Sequence, residues 1–265
     1  MPEGHTIHRL ARELNRLLAG QIVTAASPQG RFADGAARLD GRELRRVEPY
    51  GKHLFYRFDQ PESLHVHLGL YGTIEIAPLP GPAPRGALRL RLTGDGHYVD
   101  LRGPTACELL LPAERRAILA RLGPDPLRPG VDPAPAWVRI SASRTPIGAL
   151  LLDQSVLAGI GNVYRAELLF RHRIDPHRPG RAVAAADWDA MWSDLRQLMR
   201  AGVRAGRIVT TRPEHRDRRR GQPTRADSFY VYRRTGLPCR ICGTEVRTEL
   251  MGTRNLYWCP TCQAA

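Results

Sequence analysis

The chain contains a single lysine. Of its 40 basic residues 39 are arginine, and only Lys52 is not. Both side chains neutralise phosphate, but only the lysine amine readily gives up its proton, so one lysine kept among arginines points to an amine used at that position. The alternative is a surface lysine of no chemical consequence. Cysteine is scarce as well: five are present, and four of them fall in the last 27 residues. No stretch approaches the roughly 18 apolar residues of a membrane span, and the start, MPEGHTIHRL, has neither the charged opening nor the apolar run of a signal peptide. A cytoplasmic protein with no membrane partner is predicted. No internal repeat at solenoid or propeller periods is present. Acidic residues are outnumbered 40 to 26, for a formal charge of +14 and an isoelectric point near 10.5, which favours a polyanionic partner, nucleic acid above all.

The hydrophobic share, 42%, suffices for real cores, and the length suffices for two domains of ordinary size. Ile7, Leu10, Ala11, Leu14, Leu17 and Leu18 recur at helical spacing before Gly20, predicting a buried helix almost at the amino terminus. From Gln21 to about Leu111 short alternating runs predict a compact β domain, clearest in Leu64-His65-Val66-His67-Leu68. The segment 123–135 holds five prolines and two glycines and reads as a linker. Beyond it, 147–154 and 162–172 read as helices joined by a glycine-containing turn, and Trp188, Met191, Trp192, Leu195 and Met199 trace a further helical face. The arginine-rich segment 211–228 is expected to be a mobile surface loop.

Cys239-x-x-Cys242 and Cys259-x-x-Cys262, with 16 residues between the pairs, have the spacing of a zinc site rather than of a disulfide framework. Four thiolates close a tetrahedral shell, so the expected metal is one structural Zn2+ per chain. Between the pairs, 245–250 and 255–258 read as strands joined by a turn over 251–254, which sets Arg254 near a hairpin tip as a phosphate contact or a plain exposed charge. Cys107, apart from these four, reads as a buried apolar residue. Gly159-Ile160-Gly161-Asn162 opens a helix whose backbone N–H groups suit a phosphate, with Asn162 either capping the helix or donating its amide to that phosphate, although a Gly-x-Gly turn alone is weakly specific. His65 and His67 share one face of a strand, without a nearby ligand partner in the sequence that would make them a metal site. At the amino terminus, removal of Met1 leaves Pro2 with a secondary amine able to attack an aldehyde-like carbon, with Glu3 beside it to move protons. The same residues also serve as a plain helix lead-in.

Several of these motifs together resemble one family. Met1-Pro2-Glu3-Gly4, Gly51-Lys52, His67-Leu68-x-Leu70-Tyr71-Gly72, Asp153-Gln154-x-x-x-x-Gly159-x-Gly161-Asn162-x-Tyr164-x-x-Glu167 and Arg254-x-x-x-x-Cys259-Pro260-x-Cys262-Gln263 are similar, collinearly from residue 2 to residue 263, to the formamidopyrimidine-DNA glycosylase/endonuclease VIII family. The Met-Pro-Glu-Gly start and Leu70-Tyr71 resemble the endonuclease VIII branch, in its actinobacterial form.

The resemblance implies an α+β protein: a catalytic β-sandwich domain over 1–122, the linker over 123–135, a helix-two-turns-helix DNA-binding domain over 136–228 and a four-cysteine zinc-finger hairpin over 229–265. It implies a base-excision repair enzyme, monomeric and nucleoid-associated, that acts on damaged DNA. Such an enzyme removes oxidised bases, pyrimidines foremost, and cleaves the strand by β,δ-elimination. Carried over residue by residue, Pro2 is the nucleophile and Glu3 the proton-transfer group, while Lys52 assists at a phosphate. Arg254 belongs with this catalytic set and also grips the backbone together with Gly161, Asn162 and His67. Leu70 and Tyr71 fill the gap left by a flipped base. Two departures stand out. Thr6 occupies a position where many members carry a second carboxylate, and Arg102 lacks the neighbouring Phe of the formamidopyrimidine branch. Other readings are a lyase acting mainly on abasic or single-stranded sites, and a zinc-containing DNA-binding protein without catalysis, which would have no use for Pro2, Glu3 and Lys52.

Overall fold

The computed structural model describes residues 2–218 and 220–264. Met1, whose removal the reading of Pro2 requires, lies outside them, as do Arg219 of the arginine-rich segment and Ala265. The chain divides into two compact units, Met1–Arg121 and Leu122–Ala265.

The first unit opens with helix α1 (Gly4–Leu18), which buries Ile7, Ala11, Leu14 and Leu18 along one stripe and ends before Gly20, whose φ of 82° suits glycine. Strand β1 (Gln21–Ala26) follows, then a short helix α2 (Ala33–Leu39) that the alternating pattern did not predict. Seven residues are too few to show helical periodicity; burial of Ala36 and Leu39 holds α2, and Gly35 admits the Phe32 ring where a Cβ would lie 2.2 Å from it. Seven further strands complete the sheet: β2 (Arg42–Tyr50), β3 (His53–Phe58), β4 (Ser63–His67), β5 (Thr73–Pro78), β6 (Leu88–Thr93), β7 (His97–Arg102) and β8 (Ala106–Leu110).

All pairings are antiparallel, in the order β5-β7-β6-β1-β2-β3-β4-β8. Strand β1 turns one sheet into two layers: residues 21–23 pair with β2, and residues 24–26 pair with β6. Leu54, Tyr56, Leu64 and Val66 of one layer share a core with Leu90, Leu92, Val99 and Leu101 of the other and with the apolar stripe of α1. This is the expected β-sandwich. Helix α3 (Pro112–Ala120), also not foreseen, closes the unit; Pro112 begins it, and the Glu114 carboxylate accepts the Leu111 N–H at 2.7 Å.

The second unit begins with the proline-rich residues, which are not slack. Residues 123–126 are buried, the Gly123 N–H donates to the Gln154 carbonyl at 2.9 Å, and the Ala158 N–H donates to Pro124 at 3.1 Å. Helices α4 (Ala134–Ser141), α5 (Ile147–Leu150), α6 (Asn162–Arg171) and α7 (Ala185–Ala205) form a helical body. Trp188, Met191, Leu195 and Met199 of α7 meet Leu157, Ile160, Tyr164 and Leu168 in its core. The helix expected over 147–154 stops at Leu150. Side chains there compete for the backbone: Asp153 accepts the Ser155 N–H, and Gln154 accepts from Gly159 while donating to Leu152 and Ile160.

Segment 211–228, expected to be mobile, is tied at both ends. Thr211 donates to the Asp227 carbonyl at 2.6 Å, and the Asp227 carboxylate accepts from the Asp217 N–H and the Thr224 hydroxyl. Strands β9 (Arg247–Met251) and β10 (Arg254–Trp258) form the hairpin. Met251 pairs with Arg254, so the turn is the two residues Gly252 and Thr253 and Arg254 opens a strand, a tighter arrangement than the predicted four-residue turn. No helix of the described residues is long and apolar enough to cross a membrane.

Candidate functional site

In the first unit Glu3 stands at the head of α1 in extended conformation and is only 2% exposed. Its carbonyl accepts the Thr6 N–H at 2.9 Å, so the first helical turn locks the residue that follows Pro2. Thr6 turns its hydroxyl toward the neighbouring His5 ring, 3.2 Å from Nε2.

Lys52 lies in the two-residue turn Gly51-Lys52 between β2 and β3, closed by the Tyr50 to His53 pair; Gly51 has φ of 55°. Antiparallel register then sets His53 opposite His67, Phe55 opposite His65 and His65 opposite Glu108. On this face, away from the sandwich core, His53 Nδ1 lies 2.8 Å from His65 Nε2, and His65 Nδ1 lies 2.9 Å from the Glu108 carboxylate. The rings of Phe55 and His65 stack at 5.1 Å, and those of His53 and His67 lie 4.8 Å apart. Burial, then the charges of His67, His65, Arg121 and Lys52, pushes the His53 pKa down to about 3; burial first also lowers His65 and His67. The carboxylate that sequence reading found lacking near His65 is Glu108, supplied by β8. It holds His65 by a hydrogen bond, and the four cysteines are the one metal-ligand cluster among the described residues.

Leu70 and Tyr71 cap the turn after β4, exposed by 44% and 87%. Two glycines make this turn. Gly69 has φ of 67°, and a Cβ there would lie 1.9 Å from the Thr105 hydroxyl; a Cβ on Gly72 would lie 2.3 Å from the Leu68 carbonyl. Arg102 is committed elsewhere: it donates to the buried Asp100 at 2.8 Å and to the Arg85 carbonyl, while Arg91 holds the same carboxylate from the other side.

In the second unit Gly161 is the N-cap of α6 and Asn162 its first residue. The Asn162 amide donates to the Asn255 carbonyl at 2.8 Å, one residue beyond Arg254. Arg165, fully buried, donates to the same carbonyl at 2.9 Å and to the Asn162 side-chain oxygen. A helix N-terminus and the turn end of the hairpin are thereby fastened together. Sequence reading missed Arg165, although its place three residues after Asn162 is the helical spacing that brings two side chains onto one face. Glu167 it noted only within the motif; in the structure its buried carboxylate accepts the N–H groups of Tyr230, Val231 and Tyr232, each at 2.8 Å, and the Thr210 hydroxyl.

The sulfurs of Cys239, Cys242, Cys259 and Cys262 all lie within 4.8 Å of one another. Cys239 to Cys262 is 3.8 Å and Cys242 to Cys259 is 3.5 Å, near the roughly 3.8 Å separation that a tetrahedron of 2.3 Å zinc–sulfur bonds requires. Backbone N–H groups of Ile241 and Cys262 point at the Cys239 and Cys259 sulfurs. The donor set and its spacing fit a metal. Gln263 joins the cluster to the helical body, accepting the Cys259 N–H and donating to the Ile174 carbonyl, both at 3.0 Å. Cys107 stands apart, and burial pushes its thiol up to about 12.

Residues 1–107 match the formamidopyrimidine-DNA glycosylase N-terminal domain, residues 122–213 the formamidopyrimidine-DNA glycosylase H2TH domain, and residues 236–265 the zinc finger found in FPG and IleRS. The chain is 54% identical over 267 residues to endonuclease 8 1 of Mycobacterium tuberculosis, covering 99% of this chain and 100% of that protein. It belongs to the formamidopyrimidine-DNA glycosylase/endonuclease VIII family. Probable endonuclease 8 2 of Streptomyces coelicolor is 35% identical, with 100% of this family member and 94% of that protein covered. Lactococcus lactis Fpg (MutM), solved in complex with DNA containing an oxidised pyrimidine, has the same fold at TM-score 0.83 and 21% identity, with 100% of both chains covered. MutM (Fpg) of Thermus thermophilus matches at TM-score 0.79 and 28% identity, covering 99% of this glycosylase-family chain and 98% of that one.

Proposed function

We propose that this family member is a bifunctional DNA glycosylase and abasic-site lyase that removes oxidised bases, pyrimidines foremost, from damaged DNA. The observation that carries the reading is the buried Glu3 carboxyl at the head of α1, immediately after Pro2. With Met1 removed, the Pro2 nitrogen attacks C1′ of the damaged nucleotide, the bond from C1′ to the base breaks, and the base departs with a proton. Glu3 supplies the proton that opens the sugar ring, leaving an iminium between Pro2 and C1′. Its positive charge acidifies C2′; loss of that proton expels the 3′ phosphate, and a second elimination expels the 5′ phosphate. Hydrolysis of the iminium then frees Pro2.

Lys52 and His67 hold a phosphate beside this chemistry, and Gly161, Asn162 and Arg254 grip the backbone, fixing register without reading sequence. Leu70 and Tyr71, large and exposed on a glycine-bracketed turn, enter the space of the flipped nucleotide. The four cysteines hold a structural Zn2+, which keeps the hairpin folded and takes no part in the reaction.

Borohydride reduction of the chain beginning at Pro2, mixed with DNA containing defined lesions, tests this. A covalent adduct at Pro2 is expected, and its absence with every lesion would refute the reading. Arg102, held by Asp100 and Arg85, favours a second reading in which base selection in duplex is weak and abasic or single-stranded DNA is the main substrate. The same lesions placed in duplex and in single strands rank the two.

A further inference from the structure

The three-residue hydrogen-bond series on the outer face of β3, β4 and β8 has a direction. A carboxylate only accepts, so Glu108 takes the Nδ1 proton of His65. A neutral His65 then offers a bare Nε2, so His53 must donate its own Nδ1 proton to it, across 2.8 Å. The last member, His53, is left with Nε2 as an acceptor. His53 directly follows Lys52 in the chain, pairs across the ladder with His67, and feels the charge of both. At the other end the Glu108 side chain is 51% exposed, open to water.

We propose that Glu108, His65 and His53 form a proton relay that carries a proton from the Lys52 and His67 end of the site to solvent, acting as positioning residues for strand cleavage. The relay rests on the functional reading above, in which strand cleavage takes a proton from C2′ of a nucleotide whose phosphate Lys52 and His67 hold. A proton arriving on His53 Nε2 is matched by passage of the His53 Nδ1 proton to His65 Nε2, and of the His65 Nδ1 proton to Glu108, which releases it to water. Exchange with water restores the starting tautomers. The register supports this use. His65 and Glu108 are directly paired, whereas His53 reaches His65 on the diagonal, and the Phe55 ring stacks against His65. The groups whose charge bears on the relay are Lys52 in the β2 to β3 turn, His67 on β4, and Arg121 just past α3. Arg115 of α3 lies over Phe55 and is ion-paired with Glu48 of β2.

The test uses the full chain beginning at Pro2 and duplex DNA with one preformed abasic site, with single-turnover cleavage followed from about pH 5 to about pH 9. Glu108→Gln keeps the hydrogen bond to His65 and removes the proton sink. It is expected to slow cleavage at least about tenfold and to change the pH profile, while affinity for a stable abasic analogue stays within about twofold. His53→Gln should cost a similar factor, and the double variant no more than either single one. Glu108→Asp should recover part of the rate. Nitrogen-edited NMR of the imidazole rings should show both His53 and His65 as Nδ1–H tautomers. Wild-type rates and pH profiles in Glu108→Gln and His53→Gln, or an Nε2–H tautomer at His53, would overturn the relay. A fall in melting temperature and affinity with the pH profile unmoved would reduce these residues to structural support. A wild-type chain that binds DNA and cleaves nothing fails the functional reading instead, and the NMR tautomers then decide by themselves whether the series runs as drawn.

Discussion

The side-chain amide of Asn162 is held by the main-chain carbonyl of Asn255, at 2.8 Å, so the first residue of α6 is fastened to the strand that Arg254 opens. Two candidate phosphate contacts, 92 residues apart in sequence, therefore move as one body, with buried Arg165 donating to both Asn162 and Asn255. Arg254→Ala should weaken binding across all DNA sequences and reduce the slope of log affinity against log salt by about one. An unchanged slope would remove Arg254 from the phosphate contacts. Arg165→Met, by contrast, leaves the Asn255 carbonyl without one of its donors and should cost about 1–3 kcal/mol of stability, measured by denaturant unfolding.

Leu70→Ala with Tyr71→Ala should leave the melting temperature nearly unchanged, since both side chains are largely exposed. Excision from duplex DNA should fall more than cleavage of single-stranded substrate, where there is no stack to fill. Equal losses on both would assign the pair to packing.

Cys259→Ser should release the metal and unfold the hairpin, because the cysteine cluster and Gln263 hold the end of the hairpin away from its turn, while Asn162 and Arg165 hold only the turn end. Bound zinc per chain, melting temperature and DNA affinity should fall together. Retained zinc with wild-type affinity would overturn the assignment.

Acid should unfold the second unit partly through Asp194. Burial by itself raises this carboxyl, but hydrogen bonds from His172 and Arg171 outweigh it and bring the pKa down to about 2. A carboxyl depressed in the folded state contributes stability above its unfolded pKa, near 3.9, and loses that contribution as pH falls toward the folded value. Asp194→Asn should cost about 2 kcal/mol at neutral pH, and the gap from wild type should close between about pH 4 and pH 2 in melts followed by circular dichroism. A gap constant with pH would exclude the ion pair as its cause.

An added N-terminal extension should turn the Pro2 amine into an amide, abolishing covalent trapping and strand cleavage while leaving DNA binding intact. Glu3→Gln should reduce base excision more than cleavage at a preformed abasic site, where the sugar opens to its aldehyde without the acid. Normal cleavage by a verified extended chain would exclude Pro2 as the nucleophile.

The α1 stripe, the alternating strands and the two Cys-x-x-Cys pairs were legible in the sequence because each is a local signal, set by side-chain periodicity or by ligand spacing over a few residues. The helices α2 and α3 were not, being short and held by contacts or caps rather than by a long apolar face. The early end of α5 likewise came from Asp153 and Gln154 turning their side chains onto the backbone. The chain's order of residues determined which chemical groups are present: a proline followed by glutamate, one lysine, two Cys-x-x-Cys pairs and a large excess of arginine. Only the tertiary structure decided which of them meet. Strand register brought His53, His65 and Glu108 into one hydrogen-bonded series, and helix packing brought Arg165 to the hairpin, because such partners lie 12 to 90 residues apart and no local pattern encodes long-range pairing.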